Sequence, residues 1–192
     1  MSQSALPPLL QRAISASNEN DSETALNLLF QARSEEPESA WACFLLGGHL
    51  AQAKRYTEAE EQYINAVLLD PEMVIARYEL GTLQFTSGRA PAAMLSWQPL
   101  LTLPDDHYLK QFVLGYAALA VDNFAEALMR FERGIAANSD NEPLNGNIRL
   151  LTERIRLLSD GTEQAPRDLP NRPVAEGATE HFLLSSYGKN VH

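Results

Sequence analysis

The sequence predicts an all-α solenoid of about four helix-turn-helix repeats, closed by a C-terminal capping helix. Three observations carry that expectation. Small residues recur every 34 positions, and apolar residues recur three and four apart within each unit, the spacing of one buried helix face. A final polar, proline-rich stretch then breaks both rhythms.

The columns can be read directly. Ala25, Ala59, Ala93 and Ala127 stand 34 apart, as do Ala13, Gly47, Gly81 and Gly115. A third column at the same spacing holds Ala32, Ala66, Leu100 and Gly134. Pro37 and Pro71 close the first two units, and Pro104 comes one residue early in the third. In AWACFLLGGHLAQAKRYTEAEEQYINAVLLDP, residues 40–71, the pair Leu46-Gly47 is followed by Tyr56, Ala59, Tyr63, Ala66 and Asp70-Pro71. This pattern resembles the tetratricopeptide repeat (TPR) family, whose unit is a 34-residue pair of helices. The next unit repeats Leu80-Gly81, Gly88, Ala93 and Trp97, and the fourth has Leu114-Gly115, Phe124, Ala127 and Phe131. The first is degenerate, with Ala13, Ala25, Ala32 and Pro37 but no Leu-Gly.

The resemblance implies a TPR superhelical solenoid with repeats at about 6–39, 40–73, 74–107 and 108–141, covering about 70% of the chain. Each unit supplies a helix, a short polar turn such as QAKRY or TSGRA, and a second helix. Small residues at the crossing let the two backbones approach. One pair cannot cover its own apolar face, so units must stack and the last needs a cap. Residues 142–158 provide it: Ile148, Leu151, Ile155 and Leu158 make one stripe, and Asn141 or Ser139 is positioned to cap the helix ahead of Pro143. The array thus spans 1–158.

Composition restricts the function. Net charge is −10 and the pI about 4.8, which argues against nucleic acid and anionic membrane as partners, since both attract basic surfaces. A single cysteine, Cys43, excludes an intramolecular disulfide and any multi-cysteine metal site. The start lacks a basic region followed by a long apolar run, and no window of 18 apolar residues occurs. A cytoplasmic chain without membrane insertion is the expectation. The histidines are His49, His107, His181 and His192. Cys43 and His49 lie about 240° apart around a helix, so they share no face. There is no His-Glu-x-x-His, Gly-rich phosphate loop or Gly-x-Ser-x-Gly elbow. The reading is not an enzyme, with no cofactor and no metal.

In TPR arrays the first helices line a concave groove where ligands lie. The resemblance places Trp41, Phe44, Tyr78, Phe85, Phe112 and Tyr116 there as peptide contacts. Members that grip chaperone C-terminal carboxylates use Lys, Arg and Asn in that groove. Here those places hold Phe44, Gly48, Tyr78, Thr82, Phe112 and Tyr116, so the clamp is absent. An apolar lining suits an extended or helical peptide with apolar side chains, as in type III secretion chaperones of the TPR class. First-helix aromatics also serve as array core, and the sequence leaves both roles open.

Residues 159–178 read as a Pro-rich linker, with Pro166, Pro170 and Pro173. An apolar tail follows at 179–192, carrying Phe182, Leu183, Leu184, Tyr187 and Val191. Such a cluster can enter its own groove, associate with a second copy, or dock on another protein. A linker of about 18 residues spans roughly 21–25 Å, enough for tethered capture at high effective concentration. The expected function is an adaptor or chaperone-like protein-binding module, regulated by its tail. The alternative is a scaffold subunit of a larger assembly that docks its tail on a partner protein.

Overall fold

A computed structural model of the chain describes residues 6–159, apart from the Leu158 side chain. Among the described residues there are nine α-helices, one 3-10 helix and no strand. The chain divides into two units after Ala76, and each is taken separately.

The first unit contains α1 (Pro8–Asn18), α2 (Ser22–Glu35), α3 (Ala40–Gln52) and α4 (Tyr56–Leu69). α1 packs on α2, α2 on α3, and α3 on α4. Pro8 opens α1, where a missing N–H costs nothing. The Asp21 carboxylate accepts the Thr24 N–H at 3.0 Å to start α2, and the Ser39 hydroxyl accepts the Ala42 N–H at 3.3 Å to start α3. α4 has no side-chain cap, and Arg55 instead pairs with Glu58 at 2.6 Å in its first turn. Every residue of α3 from Ala42 to Leu50 is buried, as expected of a central helix that is apolar all round. Gly47 explains how α4 comes so close: a Cβ there would stand 2.8 Å from the Tyr63 ring.

The second unit begins within α5 (Val74–Thr86) and continues through α6 (Ala90–Trp97), the 3-10 helix Gln98–Thr102, α7 (Tyr108–Leu119), α8 (Phe124–Ala137) and α9 (Glu142–Ser159). The glycine column does the same work here. A Cβ on Gly81 would strike the Trp97 indole, and one on Gly115 would stand 2.6 Å from the Phe131 ring. α6 is short because Pro99 follows two residues after its last: the ring removes a donor and crowds the carbonyl four residues back, and the chain tightens into a 3-10 turn. Asn141 caps α9, its Oδ1 accepting the Leu144 N–H at 3.1 Å. Leu144, Ile148, Thr152 and Ile155 form its buried stripe, with Leu151 half-buried beside them. The junction of α8 and α9 is held by a buried amide pair: Asn138 Nδ2 donates to Asn145 Oδ1 at 2.9 Å, and Asn145 Nδ2 donates to the Asn138 carbonyl at 2.8 Å.

One backbone feature recurs with the period of the sequence. Asn20, Lys54, Gly88 and Asp122 all have positive φ, at 63°, 61°, 76° and 56°. The residue after each donates its N–H five residues back, Asp21 to Ala16 and Arg55 to Leu50 in the first unit, Arg89 to Gln84 and Asn123 to Ala118 in the second. This is the Schellman ending, in which a left-handed residue lets the next N–H satisfy an orphan helix carbonyl. The turn inside every helix pair is therefore one conformation written with four different residues.

Candidate protein-binding face

The first helices of the pairs carry the aromatic residues singled out from the sequence. In the first unit, Trp41 is half-buried on α3 and meets Phe44 edge-on, with ring centroids 5.8 Å apart. Phe44 is fully buried and lies 6.1 Å from the Tyr63 ring of α4. It therefore belongs to the interior of its own helix pair.

In the second unit, Tyr78, Phe85, Phe112 and Tyr116 gather around Trp97. Tyr78 stacks on Trp97 at 6.5 Å, and its carbonyl accepts the indole N–H at 3.0 Å. Tyr116 stacks on Trp97 at 5.1 Å and meets Phe131 edge-on at 5.2 Å. Phe112 contacts Tyr78 and Tyr108, at 6.2 and 5.9 Å, and covers the place where a Gly134 Cβ would be. All three are buried, because the α5–α6 and α7–α8 crossings over Gly81, Gly115 and Gly134 draw these rings inward. Phe85 is different. It rests on Trp97 at 5.8 Å and Tyr116 at 5.1 Å but stays half-buried, as does Thr82 one turn before it. The Thr82 and Thr86 hydroxyls bond carbonyls of their own helix, at 2.9 Å each. Of the six aromatics singled out from the sequence, Trp41 and Phe85 retain accessible surface, as does Tyr108 at the start of α7. The tail residues Phe182, Leu183, Leu184, Tyr187 and Val191 lie outside the described residues.

Two buried polar groups were not evident as special in the sequence. Glu79 on α5 is buried, its Oε1 has no hydrogen-bond partner among the described residues, and burial pushes its carboxyl up to about 8. His49 on α3 is buried with Nε2 similarly unpartnered, and burial pulls its imidazole down to about 4. An acid between Tyr78 and Leu80 carries no periodic signal that marks it as interior. Among the described residues no group of His, Cys, Asp and Glu could hold a metal ion, and no helix is long and apolar enough to cross a membrane.

The comparisons agree with this architecture. A family model described as "Tetratricopeptide repeat" matches residues 10–68 and 56–98. No curated protein matches the chain in sequence. Among solved structures the chain is similar to YrrB, described as a TPR protein with an unusual peptide-binding site, at 20% identity and a TM-score of 0.56, over 79% of this chain and 78% of YrrB. It is similar to MamA (41-end) from Desulfovibrio magneticus RS-1 at 13% identity and a TM-score of 0.55, over 83% of this chain and 100% of that one. For MamA AMB-1 the values are 16% and 0.53, over 85% and 96%. With 34-residue helix pairs, glycine-opened crossings and this shared architecture, the chain has the tetratricopeptide-repeat fold, and residues 10–98 match the family's repeat.

Proposed function

We propose that the chain is a protein-binding module, adaptor or chaperone-like, that holds an apolar peptide segment against its first helices. The observation behind this reading is the accessible aromatic surface of Trp41 and Phe85, each backed by buried rings: Trp41 by Phe44, Phe85 by Trp97 and Tyr116. A ring held in place by packed neighbours gives up little freedom on binding, which favours it as an anchor. Phe44, Tyr78, Phe112 and Tyr116 act behind that surface as its support. The apolar tail at 179–192 is the internal competitor for the same face, making the module self-regulated. YrrB, with the same fold, is described by its peptide-binding site, which is consistent with this use.

Calorimetric titration of a peptide of residues 176–192 into a chain ending at Asp160, with the full-length chain as control, tests the reading. Heat with the shortened chain alone is the expected result. Trp41→Ala and Phe85→Ala should each weaken that binding by about 5- to 30-fold, the ordinary loss of an aromatic anchor. Heat that neither substitution changes removes the two residues from the site. No heat with either chain favours the scaffold reading, in which the tail docks on another protein.

A further inference from the structure

The seam between the first helices of the second unit holds a carboxyl that lacks a donor. Glu79 on α5 is 8% exposed, and its Oε1 has no hydrogen-bond partner among the described residues. Its charge is felt by Tyr78 on its own helix and by Tyr108 and Tyr116 on α7, which places the carboxyl between the two helices. The donors around it are committed elsewhere. The Thr82 and Thr86 hydroxyls bond carbonyls of α5, and the Tyr78 and Tyr116 hydroxyls bond each other. The seam is not sealed. Thr82, one turn on from Glu79, is half-buried, as are Phe85 beyond it and Tyr108 on α7. A buried acceptor without a donor is costly, and an incoming group can relieve it over these half-buried side chains.

We propose that Glu79 is a cation subsite of the peptide-binding face, pairing with a lysine or arginine side chain that the bound peptide carries among its apolar residues. This rests on the peptide-binding reading above and adds to it the chemistry of the ligand. Three considerations favour a cation over a neutral donor. Only a cation lets the carboxyl ionise away from water, where a charged hydrogen bond is stronger than a neutral one. Aromatic rings such as Phe85 and Tyr108 attract a cation at the entry. The net charge of −10 draws cations toward the chain from a distance. The titratable groups facing Glu79 are the phenols of Tyr78, Tyr108 and Tyr116, and α6 carries none. Burial alone therefore holds the carboxyl protonated up to about 8, and a cation that binds there displaces the proton.

Short peptides selected from a random displayed library on the full chain at pH 8 test it. Lysine or arginine should be enriched among the apolar residues of peptides selected on the natural chain, and not in those selected on Glu79→Gln. A selected peptide, titrated calorimetrically, should bind the natural chain about 50-fold more tightly at pH 8 than at pH 6, as Glu79 ionises. At pH 7 it should release about 0.9 of a proton, read from the heats in buffers of different ionisation enthalpy. Glu79→Gln should abolish the release, flatten the pH dependence and weaken binding about tenfold at pH 8, whereas with the peptide's cation replaced by Gln the same substitution should cost less than about twofold. Circular dichroism checks that the helices of Glu79→Gln persist. Phe85→Ala should weaken both peptides alike, which reads the apolar face separately from the subsite. Selected peptides without a basic residue, or binding that releases no proton and ignores Glu79→Gln, overturn the cation subsite while a loss with Phe85→Ala keeps the peptide-binding face. A library that yields no binder overturns both.

Discussion

Glu79 stores a pH dependence in a single side chain. Burial holds its carboxyl protonated up to about 8, whereas in an unfolded chain it ionises near 4.5. Between those values the folded chain keeps a proton that the unfolded chain has lost, so Glu79 makes stability fall as pH rises. His49 acts with the opposite sign. Its folded value of about 4 lies below the unfolded 6.5, so its contribution is lost as pH falls through that interval. From pH 6.5 to 8 Glu79 alone of the two is active. Glu79→Gln, neutral at every pH, should raise the melting temperature at pH 8 and flatten the decline between 6.5 and 8, with the gap closing toward pH 5. Thermal melts at three pH values check this, and an unchanged slope would show that the carboxyl reaches water. Neither residue could be read this way from the sequence, since both sit one position from an apolar neighbour on a helix buried on several sides. The six aromatics were found by their spacing, but spacing gives a helix position only to about one residue, or 100° of arc. Phe44, turned toward Tyr63, and Trp41, which stays half-exposed, lie three residues or about 60° of arc apart, inside that margin.

At the scale of the element, the helix pairs follow from features already visible in the chain. The Ala and Gly columns mark where helices cross, and Gly81 against Trp97 shows why Gly is needed there. The turns were legible only in part. Gly88 announces a left-handed residue, but Asn20, Lys54 and Asp122 adopt the same conformation without that signature. The common Schellman geometry overrides their own preference, at a cost of about 1–2 kcal/mol for a residue with a Cβ. Gly88→Ala should therefore lower stability by about 1 kcal/mol, and Lys54→Gly should raise it by up to about 1 kcal/mol, both read from denaturant midpoints. Equal and opposite placement in the two units makes these a matched pair of tests. The 3-10 helix at Gln98–Thr102 had its signal in Pro99, which a search for period alone passes over.

For the molecule as a whole, the repeat period carries information about stability. In a linear array each helix pair is stabilised by its own packing and by its neighbours, so helices at the ends have fewer partners. α1 and α9 should exchange their amide hydrogens fastest, and α3, buried from Ala42 to Leu50, should be among the slowest, as mass-spectrometric exchange can show. Uniform protection along the chain would contradict a graded array. The sequence carried this architecture because a 34-residue period repeats its message several times, and errors in one unit, such as the missing Leu-Gly near Ala13, are corrected by the others. A binding surface is written only once, in residues that need not repeat, and so it was less legible. The recurring left-handed turn at 20, 54, 88 and 122 has one more consequence. Splicing the chain from any of these points to another joins closely similar φ angles, so evolution can lengthen or shorten this protein in whole cassettes of 34 residues, while an insertion of any other size must be absorbed by a loop.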